Sequence, residues 1–95
     1  MWYIYIIYSH SIDKFYVGYS DDPELRLKRH NMGWGRFTKR GIPWESVYLE
    51  KFDSKSGAIK REREIKKMKS RSYIENLIKN AGGRPDSSGS LVGPV

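Results

Sequence analysis

The order of apolar and polar residues indicates two strands at the start of the chain. Trp2–Tyr8 and Lys14–Tyr19 are both rich in aromatic and β-branched residues, which favour extended backbone. The polar segment Ser9–Asp13 lies between them and consists of residues that are common in turns. The two runs therefore predict a β-hairpin.

The register of this hairpin decides which side chains share a face of the sheet. If the turn is the four-residue segment Ser9–Ile12, Tyr5 lies opposite Tyr16. Tyr3 then lies opposite Gly18, and all four residues belong to the same face. A glycine inside a strand indicates close approach of another group to the backbone, a bulge or the end of the strand.

A helix is predicted directly after the hairpin. Asp21 or Asp22 can cap its N-terminus, and Pro23 suits the first helical turn. The helix is expected to run to about Met32, because Gly33 is the residue type that most often ends a helix.

The rest of the sequence predicts one more strand and two more helices. The elements are, in order, a long basic loop over residues 34–44, a strand over Val47–Phe52, a helix capped by Ser54 or Ser56 that ends near Lys69, and a short helix over about Ser72–Ala81. Val47 and Leu49 are the apolar positions of the third strand.

The order of these elements, β-β-α-β-α-α, predicts an α+β domain with a small three-stranded antiparallel sheet flanked by helices. This domain is expected to cover residues 1–81. From Gly82 onward, 9 of 14 residues are Gly, Pro or Ser and none is aromatic. Such a segment cannot bury enough apolar surface to order itself, so residues 82–95 are predicted to form a disordered tail.

Composition narrows the class of protein. The 95 residues carry a formal net charge of +7, which favours a polyanionic partner such as nucleic acid, although many small basic proteins have no such partner. No cysteine is present, which excludes disulfides and thiolate metal sites. The apolar start has no secretory features and is shorter than the roughly 20 residues of a membrane helix. We therefore expect a cytoplasmic protein without a membrane partner.

Two polar residues of the first helix occupy positions that packing would assign to apolar side chains. At about 100° per residue, Arg26 and His30 fall inside the arc bounded by Leu25 and Leu27. We therefore expect Arg26 and His30 to face the sheet. The alternatives are a solvated arginine and a partly buried histidine that is satisfied by ordinary hydrogen bonds. The neighbours expected outside the arc are Lys28 and Asn31.

Glu62 presents the same conflict in the second helix. Ala58, Ile65 and Met68 define an apolar stripe, and Glu62 lies within it, whereas Glu64 does not. A carboxylate that faces a small core is costly unless it is paired or holds a metal ion. The alternative is that Glu62 pairs with a neighbouring basic residue on the same helix.

The spacing of these residues resembles the GIY-YIG nuclease superfamily, and in particular its branch of small stand-alone bacterial proteins. The matching positions are Tyr3-Ile4-Tyr5, Tyr16-Val17-Gly18, Arg26, His30 and Glu62, and the segments Tyr16–Asn31, Phe37–Arg40 with Pro43-Trp44, and Ala58–Lys66. Tyr3 stands where the family name has Gly, and Val17 where it has Ile; neither departure removes a chemically active group. The superfamily also includes the incision domain of a nucleotide-excision repair subunit.

The resemblance implies a catalytic role for five residues. Glu62 would hold one divalent ion, Mg²⁺ or Mn²⁺, and Arg26 would contact the scissile phosphate. Tyr16 would be the general base or would position the water; a free tyrosine has a pKa near 10, so a base at this position needs nearby positive charge. Tyr5 and His30 would complete the hydrogen-bond network.

Other residues would contact the nucleic acid. Gly18 would allow close backbone approach to the site, and the basic residues expected on the DNA backbone are Arg36, Lys39, Arg40, Lys60 and Lys66. Trp34 and Phe37 are candidates to stack on an unpaired base or to pack on the core.

The implied function is a metal-dependent endonuclease that hydrolyses phosphodiester bonds in DNA. It would be structure-selective or weakly specific and would act in DNA repair or recombination. The alternative is a non-catalytic or accessory nucleic-acid-binding module with the same fold. A chain of 95 residues has little room for a specificity domain, which favours either a protein partner that supplies specificity or a structure-selective substrate.

Overall fold

The computed structural model describes residues 1–82 as a three-stranded antiparallel sheet with three α-helices. The strands are β1 (Trp2–Ser9), β2 (Lys14–Ser20) and β3 (Trp44–Phe52), in the spatial order β2-β1-β3. The helices are α1 (Pro23–Asn31), α2 (Lys55–Met68) and α3 (Arg71–Gly82), and a short 3-10 helix covers Thr38–Gly41. The predicted α+β class and element order are confirmed. The predicted disordered tail lies, from residue 83 onward, outside the described residues.

The core lies on both faces of the central strand β1. One buried cluster contains Ile4, Ile6, Val17, Val47, Tyr48, Ile65, Ile78 and Ala81, so α2 and α3 cover this face. The other contains Tyr5, Ile7 and Trp44, with Ile12, Tyr16 and Leu27 packed against it. Because both faces are covered, the run Ile4–Ile7 is buried without alternation. No helix within residues 1–82 is long and apolar enough to cross a membrane.

The predicted hairpin register is wrong by two residues. Tyr5 lies opposite Gly18, and Ile7 lies opposite Tyr16. The turn begins one residue later than predicted, because Ser9 still belongs to β1 and Asp13 closes the turn with a φ of 53°. A shift of two residues preserves the faces, so Tyr5 and Tyr16 still share one side of the sheet, as predicted.

Strand β3 begins at Trp44, three residues before the predicted start at Val47. The Asn31 side chain fixes this start: its Oδ1 accepts a hydrogen bond from the Trp44 amide at 2.6 Å, and its Nδ2 donates to the Trp44 carbonyl at 3.0 Å. The prediction that Asn31 lies outside the inward arc of α1 is therefore wrong.

The burial pattern of β3 is irregular. A register shift opposite Ile6 and Ile7 interrupts the alternation, so Val47 and Tyr48 are both buried although they are adjacent. Leu49, the other apolar position of this strand, is 38% exposed.

The helix starts follow the predicted caps. Asp22 accepts a hydrogen bond from the Leu25 amide at 3.1 Å, and Ser54 accepts one from the Gly57 amide at 3.1 Å. Two side chains used to define apolar stripes are exposed instead, namely Leu25 at 41% and Met68 at 52%. Leu25 lies in the first turn of α1, and Met68 is the last residue of α2.

Candidate active site

A cleft of about 360 Å³ brings most of the predicted catalytic residues together. Its lining contains Tyr5, Tyr16, Gly18, Arg26 and Glu62, together with Trp2, Tyr19, Ser20, Asp21 and Lys55. The predicted residues therefore come from four elements, β1, β2, α1 and α2, and converge on one space. A larger cleft of about 540 Å³ is lined by Tyr8, Phe15, Val47, Arg71, Glu75, Ile78 and Lys79, and holds none of them.

Tyr5 forms the floor of this cleft, and Gly18 makes room for it. The Tyr5 side chain lies across β2, so that a Cβ atom added at Gly18 would stand 2.5 Å from its hydroxyl oxygen. Burial raises the pKa of the Tyr5 hydroxyl to about 12; Arg26 opposes this shift, and Tyr16 and Glu62 add to it. Tyr5 is therefore a neutral phenol at neutral pH and acts as a hydrogen-bonding group rather than as a base.

His30 lies directly behind Tyr5 and links it to the loop before β3. Its Nε2 is 3.0 Å from the Tyr5 hydroxyl, and its Nδ1 is 2.8 Å from the Thr38 hydroxyl. Burial, followed by the charge of Arg26, lowers the pKa of His30, so the ring is neutral at pH 7. Since both hydroxyls can donate or accept, the neutral ring is satisfied in either tautomer.

Protonation of His30 is expected to destabilise the fold. Because its pKa is lower in the folded state than the ordinary value of 6.5, its contribution to stability is complete above that pH and is lost as the pH falls through the folded pKa. We expect the melting temperature of the wild type to fall between about pH 7 and pH 5, and His30→Asn to show a shallower fall.

The other histidine provides the matched control. His10 is exposed at the hairpin turn, and the chain has two histidines in all. His10→Asn, which removes an exposed side chain whose Nε2 lies 2.6 Å from Glu45 Oε1, should still show the acid-side fall of the wild type. The account is contradicted if His30→Asn retains the full acid-side slope of the wild type.

Arg26 supplies the positive charge of the cleft. It lies one helical turn before His30 and is half-buried. Its charge opposes the rise that burial causes in the pKa of Tyr5, and it adds to the fall that burial causes in the pKa of His30. Within residues 1–82 it forms no ion pair with a carboxylate, so the guanidinium remains available to an anion that enters the cleft.

Tyr16 is held by aromatic neighbours. The centre of its ring is 5.1 Å from the centre of the His30 ring and 5.9 Å from that of the Phe37 ring. The planes of the Tyr16 and Phe37 rings are inclined to each other by only 25°. The Tyr16 hydroxyl forms no hydrogen bond with another described residue. It is not among the buried polar atoms that lack a partner, since the described residues contain none. The ring is thus fixed by packing, while the hydroxyl is left to solvent or to a ligand oxygen.

Glu62 lies in the cleft and also carries a basic neighbour. Its side chain is only 16% exposed, whereas the side chain of Glu64 is 54% exposed, which confirms the predicted difference between them. Glu62 Oε2 accepts a hydrogen bond from Lys66 Nζ at 3.2 Å, so the expected alternative of local pairing is also realised. The same Lys66 Nζ lies 5.7 Å from the centre of the Tyr16 ring.

The predicted basic contacts are distributed unevenly around the cleft. Arg36, Lys39 and Arg40 are exposed on the loop that follows α1. Lys66 lies at the cleft through its pair with Glu62. Lys60 is not brought to this cleft; it lines a separate shallow surface with Ile59 and Lys67, among others, because it is about 200° from Glu62 on the helix.

Several residues at the site were missed in the sequence analysis. Thr38 is 1% exposed and contacts both His30 and Trp44. Its hydroxyl is hydrogen-bonded to the His30 ring, and its carbonyl accepts a hydrogen bond from Trp44 Nε1 at 2.6 Å. Lys55 lines the cleft, with its Nζ 5.3 Å from the Trp2 ring. A signal for Lys55 was available, because it precedes Glu62 by seven residues and so shares its helix face. Thr38 carried no comparable periodic signal.

Comparison with known proteins is consistent with this arrangement. A family model described as the GIY-YIG catalytic domain matches residues 1–77. A UPF0213 protein of Natronomonas pharaonis is 39% identical over 82 residues, which cover 85% of this chain and 94% of that protein. A UPF0213 protein of Staphylococcus saprophyticus is 48% identical over 65 residues, which cover 67% of this chain and 78% of that protein.

A solved structure is also similar. The solution NMR structure of a UPF0213 protein from Bacillus halodurans is 33% identical and has a TM-score of 0.57. The match covers 96% of this chain and 97% of that chain. The similarity therefore extends over the whole fold rather than over the catalytic motifs alone.

Proposed function

Because this chain belongs to the GIY-YIG family, we propose that it is a metal-dependent endonuclease that hydrolyses phosphodiester bonds in DNA. It is structure-selective or weakly specific and acts in DNA repair or recombination. The observation that carries the proposal is the convergence of the Tyr16 hydroxyl, the Arg26 guanidinium and the Glu62 carboxylate on one cleft. These are the group types that phosphodiester hydrolysis requires.

Arg26 and Tyr16 have separate tasks in this chemistry. The Arg26 guanidinium binds the scissile phosphate, because its planar fork of donors matches two phosphate oxygens and no carboxylate in residues 1–82 competes for it. The Tyr16 hydroxyl orients the attacking water. Contacts of its ring with the Phe37 and His30 rings restrict the movement of this side chain.

Tyr5 donates a hydrogen bond to the phosphate, and His30 sets the direction of that bond. The Tyr5 hydroxyl has a single proton, so it can donate into the cleft only when His30 carries its proton on Nε2. His30 Nδ1 then accepts a hydrogen bond from the Thr38 hydroxyl at 2.8 Å. The Thr38 hydroxyl thereby satisfies Nδ1 in the tautomer that the site needs.

The donor chemistry of Glu62 fits a hard divalent cation. Its Oε2 accepts from Lys66, and its Oε1 has no hydrogen bond to another described residue. Mg²⁺ and Mn²⁺ bind to a single carboxylate when water and phosphate oxygens complete their shell. The ion supplies Lewis-acid stabilisation of the leaving oxygen when it is bound.

Lys66→Met is expected to strengthen divalent-ion binding. The Lys66 ammonium now pairs with Glu62 at 3.2 Å, so a metal ion must compete with it for the carboxylate. Titration of the DNA-free protein with Mn²⁺, followed by electron paramagnetic resonance, should show an affinity increase of about fivefold. Lys67→Met, on the same helix and away from the cleft, should leave the affinity unchanged. Equal affinities in wild type and Lys66→Met would show that Lys66 does not compete for Glu62.

The Glu62–Lys66 ion pair favours one other candidate function. A carboxylate that already has a counter-ion is also compatible with a binding module that associates with nucleic acid and cuts nothing by itself. Such a module would show salt-dependent binding that is insensitive to Glu62→Ala.

The proposed function is tested by incubating the purified protein with labelled single-stranded, duplex and branched DNA in Mg²⁺, Mn²⁺ or EDTA. Cleavage in either metal that EDTA abolishes supports the endonuclease. Salt-dependent binding of all three substrates, without cleavage under any condition, contradicts it and favours the binding module.

A further inference from the structure

Two large aromatic side chains are exposed on the loop between α1 and β3. Trp34 is 65% exposed and Phe37 is 50% exposed, although aromatic residues of this size are usually buried. We call these two residues the aromatic rim. Trp34 has no role in the hydrolysis argued above, and Phe37 enters it only through its contact with the Tyr16 ring.

The aromatic rim adjoins the proposed catalytic cleft. The Phe37 ring is stacked on Tyr16 at 5.9 Å and lies 6.3 Å from the Trp44 ring, so one side of it is supported and the other faces solvent. The Arg29 guanidinium lies 4.9 Å from the centre of the Trp34 ring and supports it from α1. Phe37 is therefore held at the edge of the cleft, and Trp34 is held against α1 on the same loop.

The loop that carries the aromatic rim is internally bonded. The Trp34 amide donates to the Arg29 carbonyl at 3.1 Å, and the Lys39 amide donates to the Gly35 carbonyl at 2.9 Å. The Thr38 hydroxyl is joined to the buried His30 ring at 2.8 Å. The rings are consequently presented by a fixed backbone, which lowers the entropy cost of binding a ligand to them.

The charge around the aromatic rim defines the chemistry of its ligand. Arg36, Lys39 and Arg40 are exposed on the same loop, and residues 31–44 contain no acidic side chain. A ligand that fits must combine a flat apolar surface with negative charge. A nucleotide has both features, in its base and its phosphate.

We propose that Phe37 and Trp34 form a stacking site for an unpaired nucleobase beside the scissile phosphate. Bases within a duplex stack on one another and offer no free face, so only a flap, a bulge, a branch or a single strand can fill this site. The inference deepens the proposed function and rests on it in one respect, namely that the cleft beside the aromatic rim holds the scissile phosphate. It assigns the substrate class to DNA with an unpaired nucleotide next to duplex.

The test measures binding in EDTA, where the metal-dependent reaction proposed above cannot proceed. Affinities of the wild type, Phe37→Leu and Trp34→Leu are determined for a blunt duplex, a single strand and the same duplex with a one-nucleotide flap. Each leucine variant should bind the single strand and the flap about 10-fold more weakly and the duplex within about twofold of wild type. Met68→Ala, which removes an exposed apolar side chain from the end of α2, should change none of the three affinities.

A fluorescent base reports the stacking directly. With 2-aminopurine at the flap position, binding of wild type should quench the fluorescence, and Phe37→Leu should quench it less. Arg36→Gln with Arg40→Gln should weaken binding of all three DNAs by the same factor, because phosphate contacts are not selective for unpaired bases.

The outcomes separate this inference from the proposed function. If the wild type cleaves DNA but the leucine variants lose affinity for all three substrates equally, or for none, the stacking site is refuted and the endonuclease stands. If no DNA is cleaved but the leucine variants lose affinity only for unpaired DNA, the stacking site stands and the endonuclease is refuted.

Discussion

Arg26→Lys is expected to lower the cleavage rate at saturating DNA by about 100-fold, because a lysine replaces a two-point phosphate contact with a single charge. The guanidinium has no carboxylate partner within residues 1–82, so its substitution leaves no internal ion pair broken. Arg63→Lys, the same change at an exposed position of α2, should alter the rate by no more than about twofold.

A companion variant separates the charge of Arg26 from its geometry. Arg26 lowers the pKa of His30, so Arg26→Gln should raise that pKa, whereas Arg26→Lys should leave it nearly as it is. An NMR titration of the His30 ring measures this shift independently of cleavage. A rate for Arg26→Lys close to that of wild type would contradict the proposed phosphate contact.

Gly18→Ala is expected to damage both stability and cleavage, because it forces the floor of the cleft to move. The new Cβ would lie 2.5 Å from the Tyr5 hydroxyl oxygen and 2.6 Å from Cζ, and Tyr5 is only 2% exposed. Overpacking of this kind costs about 1–3 kcal/mol of unfolding free energy. Displacement of Tyr5 from His30 should lower the cleavage rate by about 100-fold, measured under conditions where the variant is folded.

Gly57→Ala is the matched control for this prediction. A Cβ atom at Gly57 would lie 3.2 Å from Ser54 Oγ and 3.5 Å from Phe52, so small shifts suffice to accommodate it. Its cleavage rate should equal that of wild type, and its unfolding free energy should change by less than about 1 kcal/mol. A wild-type cleavage rate for Gly18→Ala, whether or not Tyr5 is displaced from His30, would contradict this prediction.

The element order was predictable because each element carries a local signal. Asp22 and Ser54 act as caps, as their positions before the helical periodicity predicted. The hairpin register was not predictable to the residue. The alternation of a strand repeats every two residues, so a shift of two leaves the same faces and the same pattern. The register is set by where the turn lies. In the structure β1 extends to Ser9, and the turn ends at Asp13, whose backbone is left-handed.

The errors in β3 arise from contacts between distant parts of the chain. The strand starts at Trp44 because the Asn31 side chain bonds both polar groups of its backbone, 13 residues away. Propensity within Trp44–Ser46 carries no sign of that contact. The register shift beside Val47 likewise changes which side chains are buried, and the sequence alternation does not encode it.

The candidate site was predictable where a polar residue interrupts an apolar pattern. His30 and Glu62 were found in this way, and the structure places the first against Tyr5 and the second in the cleft. Thr38 was not found, because it lies in a loop without periodicity and its importance depends on the buried Nδ1 of His30. Lys66 was expected to contact the DNA backbone. Within the described residues its ammonium group pairs with the Glu62 carboxylate.

Single-turnover cleavage by Glu62→Gln and Glu64→Gln in Mg²⁺ tests the central claim most directly. The two acids lie two residues apart on α2, yet Glu62 lines the cleft and Glu64 pairs with Arg61 at the exposed surface. The account predicts that Glu62→Gln slows cleavage by at least about 100-fold while DNA binding persists, and that Glu64→Gln cleaves like wild type. Equal cleavage by the two variants would contradict the assignment of Glu62 as the metal-binding group of a GIY-YIG nuclease site.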